Sequence, residues 1–389
     1  MFGQPEVEVA PAAYDLADIQ AAGELIAVTL SGPDTYYEYR GRGFGLEFEM
    51  AEAFARSIGV RLRMEMAPDT TTLLQRLADG EADLIAFPLD TAVLTSSQLS
   101  TRPERTLDPS STFNFHLPSS WPVRITSPEL ADAINRWWKP DTRERFLAAE
   151  TARRQSASRS RVVRSVRPPM LSRANGVISS YDNLFIHHAG TAGMDWRMLA
   201  AQCYQESAFN PRAVSWAGAQ GLMQIMPGTA SHLGLAAAEV FDPEKNVAAA
   251  ARYLRELDAT FSDIPQRRER LSFILAAYNG GVGHVRDAMA LTVKHGGDPH
   301  RWADVDSYIL KLAEPAYYRD PVVKNGYLRG SETSAYVRQI HERYAFYRGS
   351  ARPASSGTTA RPAAGSAASP SRIRPRSEFV LSPDTTEAS

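Results

Sequence analysis

Glu206 is the residue whose type and position best suit acid–base chemistry. It lies in the last turn of a predicted helix, which Asp195 caps and which Pro211 prevents from continuing. The helix dipole is negative at this end and disfavours a charged carboxylate there. A carboxyl group that keeps its proton near neutral pH can act as a general acid on a glycosidic oxygen. From position alone, an exposed surface glutamate remains the commoner case.

Glu206 belongs to the first of four sequence blocks in the second half of the chain. After Glu206-Ser207 come S-x-x-G-A-x-G-L-M-Q-I-M-P from Ser215, A-Y-N-G-G over 277–281 and E-T-S-A-Y-V over 332–337. Together the blocks resemble the lytic transglycosylase family, whose lysozyme-like domains cut bacterial peptidoglycan. Four blocks in one order over about 130 residues are far more specific than one short motif.

The resemblance implies a role for each matching residue. Glu206 would be the sole catalytic acid/base, and Tyr278 would donate its hydroxyl toward it. Asn279 would hold the turn behind Tyr278, although a plain helix cap is the favoured explanation for this residue. The other matching residues would contact the substrate or form the floor of the sugar-binding groove: Ser215, Gln224, Met226, Glu332 and Tyr336. Met226 and Tyr278 would also suit an ordinary core.

The blocks contain no second acid assigned beside Glu206, whereas ordinary glycosidases use two carboxylates. The family reaction needs only one, because the muramyl 6-hydroxyl attacks and closes a 1,6-anhydro ring. The resemblance therefore implies a murein lyase that needs no cofactor and no metal. Two alternatives stay open: a hydrolytic muramidase on the same fold, and a non-catalytic peptidoglycan-binding or sensor protein. Aromatic residues such as Trp216 and Trp302 suit sugar stacking and core packing equally.

The elements that must position these residues differ between the two halves of the chain. Residues 24–88 alternate strand and helix patterns, which predicts a βαβαβ unit with a parallel sheet. Residues 176–348 have helical spacing throughout, with Asp195 and Asp242 as helix caps. We therefore expect an α+β multidomain protein, in which an α/β lobe precedes an all-α lysozyme-like catalytic domain.

The front region resembles the first lobe of the periplasmic solute-binding proteins of the polar amino-acid type. Residues 24–150 are too few for two such lobes, so we expect a reduced lobe that docks on the catalytic domain or is a relic. This order of domains resembles a membrane-bound group of lytic transglycosylases. The predicted parts are an N-terminal extension (1–23), the reduced lobe (24–150), an Arg/Ser-rich linker (151–175), the lysozyme-like lytic transglycosylase (SLT) domain (176–348) and a disordered tail (349–389).

Composition limits the remaining function classes. The chain has 389 residues and a net charge of -1, which argues against a globally basic nucleic-acid binder. Its single cysteine, Cys203, excludes an intramolecular disulfide framework. No secretory signal is visible at the start of this chain. Because peptidoglycan is the expected partner, we predict a periplasmic location, with attachment to the outer membrane or to a cell-wall complex left open.

Overall fold

The computed structural model of the chain describes residues 14–89, 99–101, 105–107, 113–114, 121–159, 165 and 167–350. These residues combine a sheet-containing front region with a helical second region, so the predicted mixture of helix and sheet is confirmed. Most of the predicted disordered tail lies outside the described residues. Its first two residues, Gly349 and Ser350, are wrongly assigned, because they continue the last helix.

The front region is built on a five-stranded sheet. Its elements in chain order are α1 (Leu16–Ala22), β1 (Glu24–Leu30), β2 (Tyr37–Tyr39), β3 (Arg42–Phe44), α2 (Leu46–Ser57), β4 (Arg61–Ala67), α3 (Thr70–Ala78), β5 (Leu84–Ile85), β6 (Leu99–Thr101), β7 (Arg105–Leu107), β8 (Phe113–Asn114), β9 (Val123–Arg124), α4 (Pro128–Trp137) and α5 (Thr142–Arg159). The strand order is β4-β1-β5-β9-β8. Since β1 pairs in parallel with β4 and β5, the predicted βαβαβ unit is confirmed.

Two predicted boundary segments contain helices. The N-terminal extension includes α1, which Asp15 caps and whose Ile19 is fully buried. The predicted linker 151–175 is helical as far as Arg159, because α5 continues through it. Its alanines, arginines and glutamine are good helix formers, and the first proline comes only at Pro168. The absence of apolar periodicity predicted a linker but did not reveal that residues 151–159 are helical.

The strands β2 and β3 form a hairpin outside the main sheet. Tyr39 pairs with Arg42, so Arg40 and Gly41 are the two turn residues. Both have positive φ, 53° and 74°, as a type I′ hairpin turn requires. Gly41 adopts this conformation readily, whereas Arg40 is strained by it. The hairpin Tyr37–Phe44 thus places an arginine at its tip.

The second region is helical, as predicted. Its elements are α6 (Asp182–Ala192), α7 (Trp196–Ser207), α8 (Pro227–His232), α9 (Pro243–Thr260), α10 (Arg267–Gly280), α11 (Val282–Lys294), α12 (Trp302–Lys311), α13 (Pro315–Tyr318) and α14 (Gly330–Ser350). The Asp195 carboxylate accepts a hydrogen bond from Arg197 N at 2.8 Å, and Asp242 accepts one from Lys245 N at 2.9 Å. Both predicted helix caps are therefore confirmed.

Helix α10 lies at the centre of this region. Every residue from Ser272 to Gly280 is buried, and the helix packs against α9, α11 and α14. Gly280 lets α14 approach closely, since a Cβ there would lie 2.9 Å from Thr333 Oγ1. The close packing of α10 against α14 brings the A-Y-N-G-G and E-T-S-A-Y-V blocks together.

The front region docks on the helical region through the hairpin Tyr37–Phe44. Tyr39 stacks on Trp216 with ring centroids 5.7 Å apart, and Phe44 contacts the same indole at 4.9 Å. The Ser31 hydroxyl accepts a hydrogen bond from Tyr327 N at 2.8 Å. Of the two expectations for the front lobe, docking is the one that the structure shows. None of the described helices combines the length and apolar character needed to cross a membrane.

Candidate active site

Glu206 is held in the last turn of α7 and is only 7% exposed. Ala208 and Phe209 follow it with φ values of 52° and 65°, in the left-handed region. This turn ends the helix immediately after Glu206 and directs the chain into the next loop. The carboxylate therefore lies at the C-terminal end of a helix, as the sequence predicted.

Tyr336 on α14 is the tyrosine that contacts Glu206. Its hydroxyl donates to Glu206 Oε1 at 2.6 Å. Burial, reinforced by the negative charge of Glu206, raises the pKa of Tyr336 well above its ordinary value of 10.0. The hydroxyl therefore keeps its proton and acts as a permanent donor, which orients the carboxyl group.

Tyr278 does not have the predicted contact with Glu206. Its hydroxyl donates to the Met223 carbonyl oxygen at 2.8 Å instead. Burial is the main cause that raises the pKa of Tyr278 well above 10.0. The predicted hydrogen bond was wrong because Tyr278, on α10, lies against the loop before α8, while α14 supplies the donor to Glu206. Tyr278 thus fixes the loop that carries Gln224.

The loop from Ser215 to Met226 uses its polar side chains to hold its own shape. Ser215 Oγ accepts a hydrogen bond from Ala219 N at 2.9 Å. Gln224 has a φ of 51°, and its Nε2 donates to the carbonyl oxygens of Ala213 and Gly221 at 3.0 and 2.9 Å. Both amide protons of Gln224 are therefore engaged by backbone carbonyl oxygens in the loop and just before it. Sugar binding through Gln224 Nε2 would require these bonds to break.

The other predicted site residues lie around this loop and α14. Met226 is buried and lines a cavity of about 270 Å³ together with Gln224, Tyr253 and Tyr278. Asn279 Oδ1 accepts a hydrogen bond from the Thr333 hydroxyl at 2.9 Å. Asn279 lies inside α10, so it links two helices and is not the helix cap that was favoured. Contacts of Met226 and Asn279 with a glycan stay predictions.

Glu332 has a partner from the front region. It lies in the first turn of α14, and its Oε1 accepts a hydrogen bond from the Tyr39 hydroxyl at 2.8 Å. Burial raises the pKa of Tyr39 above its ordinary value, so this phenol remains a donor. A residue predicted to form the groove floor is thus bound to the hairpin.

Arg40 is a site residue that the sequence did not reveal. Its Nη1 lies 3.1 Å from Glu206 Oε2, and its Nη2 lies 3.2 and 3.1 Å from Oε1 and Oε2. Burial alone would lower the pKa of Arg40, but the Glu206 charge beside it raises this pKa well above the ordinary value for an arginine. Arg40 is therefore a permanent cation in contact with both oxygens of the predicted catalytic group.

The sequence indicates the turn at Arg40-Gly41 but does not indicate which residue the Arg40 side chain contacts. Arg40-Gly41 between tyrosine and arginine residues suits a two-residue hairpin loop, since Gly favours positive φ. Glu206 lies 166 residues after Arg40 in the chain. Because the contact depends on how the two regions dock, no local pattern identifies it.

One group of three potential metal ligands occurs in the part of the chain that the structure describes: His187, His188 and Glu244. His188 Nε2 lies 2.6 Å from Glu244 Oε1, which an ordinary surface hydrogen bond explains. The two histidines are on α6 and Glu244 is on α9. None of these three residues takes part in the hydrogen bonds of Glu206 with Tyr336 and Arg40, and the proposed reaction does not use them.

Comparison with known proteins shows what the helical region and the whole chain are similar to. Residues 183–299 match the family model described as the transglycosylase SLT domain. The chain is 28% identical over 417 residues to the membrane-bound lytic murein transglycosylase F of Citrobacter koseri, with 84% of this chain and 80% of that protein covered. It is also 28% identical over 431 residues to the protein of the same name from Salmonella arizonae, with 88% and 81% covered.

A solved structure also matches. The 70 kDa soluble lytic transglycosylase from Escherichia coli is 28% identical over 43% of this chain, with a TM-score of 0.30. The match spans only 24% of that protein's length. The family match and the two curated relatives confirm the resemblance to the lytic transglycosylases that the sequence blocks predicted. Glu206 and Tyr278 lie within the matched range 183–299, whereas Tyr336 lies beyond it.

Proposed function

We propose that this relative of the lytic transglycosylases is an enzyme that cleaves peptidoglycan without hydrolysis. The bond is the β-1,4 linkage between N-acetylmuramic acid and N-acetylglucosamine, and the product is a 1,6-anhydromuramyl end. Two curated relatives named as murein transglycosylases support this assignment, because each aligns with more than four fifths of the chain. The proposed substrate lies outside the inner membrane, so the proposed compartment is the periplasm.

The contact between Tyr336 and Glu206 is the observation that carries the proposal. Tyr336 donates to Oε1 at 2.6 Å and holds the carboxyl group in one orientation. A general acid must present its proton within hydrogen-bond reach of the glycosidic oxygen, so a fixed orientation favours the transfer. With Oε1 bound by Tyr336, Oε2 is the oxygen that would carry the proton toward the substrate.

The proposed reaction uses Glu206 twice. Glu206 first gives its proton to the glycosidic oxygen while the bond to the anomeric carbon breaks, and the muramyl N-acetyl oxygen stabilises that carbon. Glu206 then takes the proton of the muramyl 6-hydroxyl, whose oxygen bonds to the anomeric carbon. The proton lost in the first step is thereby recovered, and no water is consumed. One carboxyl group suffices because the substrate supplies the nucleophile.

The test compares the wild type with Glu206→Gln on purified peptidoglycan, with mass spectrometry of the released muropeptides. Glu206→Gln keeps the shape of the side chain but removes the proton donor, so we expect release to fall by at least about 10²-fold. Glu256→Gln on the exposed surface of α9 is the matched control and should retain the wild-type rate.

Each outcome has one meaning. Anhydromuramyl products that disappear with Glu206→Gln support the proposal. Products with reducing ends, heavier by one water, would make the protein a muramidase and overturn the proposed chemistry. Release that persists in folded Glu206→Gln would overturn the role of Glu206. Absence of products from the folded wild type and from both folded variants would overturn the enzymatic assignment.

A further inference from the structure

Asn246 is a fully buried polar residue at the start of α9 that none of the four sequence blocks contains. Its Oδ1 accepts a hydrogen bond from Met223 N at 2.8 Å. Its Nδ2 donates to the carbonyl oxygens of Gln220 and Val240, at 3.2 and 2.8 Å. Both ends of the amide are therefore bound to backbone groups, and two of these three groups belong to the loop from Ser215 to Met226.

Gly221 shows how closely this loop lies on Asn246. Gly221 has a φ of 81°, in the region that favours glycine. A Cβ at this position would lie 2.3 Å from Asn246 Nδ2 and 2.7 Å from the Val240 carbonyl oxygen. The loop backbone and the Asn246 side chain therefore fit each other without room for even a methyl group.

The contact with Asn246 precedes a strained residue. Gln224 has a φ of 51°, which is unfavourable for a residue other than glycine. Such a conformation persists only where its surroundings fix it. Asn246 binds the N–H group of Met223, and Tyr278 binds the carbonyl oxygen of Met223, so both backbone groups of the preceding residue are held. Loss of Asn246 would therefore let Gln224 relax toward an ordinary φ.

The loop borders the space in front of Glu206 without orienting Glu206 itself. Gln224 lines the cavity of about 270 Å³, and its carbonyl oxygen lies 3.5 Å from an Arg40 nitrogen that is 3.1 Å from Glu206 Oε2. The donor that orients Glu206 is Tyr336, which belongs to α14. Asn246 has no exposed surface and no hydrogen bond to either residue, so its effect on the site must pass through the loop.

We propose that Asn246 is a positioning residue for glycan binding, because it holds the loop from Ser215 to Met226 in the conformation that accepts the sugar. The inference rests on the proposed function, since the expected glycan contacts of the loop belong to it. When only a fraction of the molecules has the competent conformation, the apparent affinity falls by that fraction. Loss of Asn246 should therefore weaken glycan binding and leave the proton transfer at Glu206 unchanged.

The first experiment measures the Kd for solubilised glycan strands in full-length Glu206→Gln, in which turnover is suppressed. Asn246→Ala added to this background should raise the Kd about tenfold. Gly221→Ala disturbs the same contact from the side of the loop, so it should also raise the Kd. This second variant keeps the test available if Asn246→Ala does not fold.

Leu257→Ala in the same Glu206→Gln background is the matched control. Leu257 is buried on α9 about three turns after Asn246, and its truncation destabilises the packed core of the helical region. Urea unfolding curves establish that each variant is folded and how much stability it has lost. The Kd of the Leu257→Ala variant should equal that of Glu206→Gln, although its stability is reduced.

The second experiment separates binding from chemistry in the protein with Glu206 intact. Asn246→Ala should lower muropeptide release about tenfold at low concentrations of glycan strands, and its rate should approach that of wild type at saturation, because only KM rises. A merely structural role would reduce the amount of active protein and would lower the rate equally at every concentration. That result would overturn the proposal.

The remaining outcomes also separate the inference from the proposed function. An unchanged Kd in folded Asn246→Ala, or a rise no larger than that of Leu257→Ala, would overturn the role of Asn246 while leaving the proposed function intact. Absence of glycan binding by Glu206→Gln itself would overturn the proposed function, and the inference that rests on it would fall with it.

Discussion

Two regions of the molecule reach Glu206, and they do so differently. The helical region supplies Tyr336, a neutral donor that binds one oxygen at 2.6 Å from a helix in the same packed core. The front region supplies Arg40, a cation that binds both oxygens from the tip of a two-stranded hairpin. The first contact leaves an oxygen for the substrate, and the second does not.

The two contacts have different roles: Tyr336 orients the carboxyl group of Glu206, and Arg40 covers both of its oxygens. Tyr336 is held by α14, which packs closely on α10 near Gly280. The hairpin contacts the groove through a few side chains and contains a strained residue at its tip. Tyr336 is therefore fixed by the packing of the helical region, whereas the contact of Arg40 depends on the docking of the front region. The following predictions test that division.

The largest expected effect separates the two tyrosines of the helical region. Tyr336→Phe removes the donor to Glu206, and a hydrogen bond to a charged group contributes about 1.5–3 kcal/mol. We therefore expect muropeptide release to fall by about 10- to 100-fold. Tyr278→Phe leaves the Met223 carbonyl oxygen without its donor, so it should mainly lower the free energy of unfolding, by about 1–3 kcal/mol.

Rates of muropeptide release and urea unfolding curves of both variants check this prediction. Tyr336→Phe serves as the control for Tyr278→Phe, since each loses one phenol oxygen from a buried tyrosine. If Tyr278→Phe lowered the rate more than Tyr336→Phe without a loss of stability, the original expectation from the sequence blocks would be correct after all. The assignment of Tyr336 as the orienting residue would then fail.

A smaller effect is expected where the front region meets α14. Tyr39→Phe removes the hydrogen bond to Glu332, which exists only while the hairpin is docked. Loss of this hydrogen bond should lower the free energy of unfolding by about 1 kcal/mol, which urea unfolding curves measure.

Tyr36→Phe is the matched control for Tyr39→Phe. Tyr36 lies just before the hairpin and packs on Phe48 of α2 with ring centroids 5.3 Å apart. Its replacement should lower the free energy of unfolding less than Tyr39→Phe does. Equal stability of Tyr39→Phe and wild type would show that the hydrogen bond to Glu332 does not stabilise the docking of the front region.

The sequence predicted the features that depend on neighbouring residues but not those that depend on how helices pack or regions dock. The caps Asp195 and Asp242 and the strand Glu24–Leu30 depend on neighbours within a few residues, so local patterns revealed them. The choice between Tyr278 and Tyr336 as the donor to Glu206 depends on how α10 and α14 pack, which the sequence blocks do not specify. Arg40 depends on the docking of two regions and left no signal beyond its turn.

The smallest expected effect concerns the pH dependence of the helical frame. Burial, with the positive charge of Arg268 nearby, holds the pKa of His341 below its ordinary value of 6.5. As the pH falls below that value, the unfolded chain takes up the proton before the folded protein does. The part of the free energy of unfolding that depends on neutral His341 should therefore be fully present above the pKa of His341 in the unfolded chain. It should be lost as the pH falls from that pKa toward the lower pKa of His341 in the folded protein.

Urea unfolding at about pH 7.5 and about pH 5.5 measures this loss. His341→Gln should reduce the loss, because the group that titrates is gone, whereas His232→Gln on the exposed surface should leave it unchanged. The His341 ring bonds the Ser272 hydroxyl, so the effect belongs to the contact between α10 and α14 that positions Tyr336. An equal loss in His341→Gln and wild type would show that acid sensitivity arises elsewhere, and the frame that holds Tyr336 would then be independent of pH in this range.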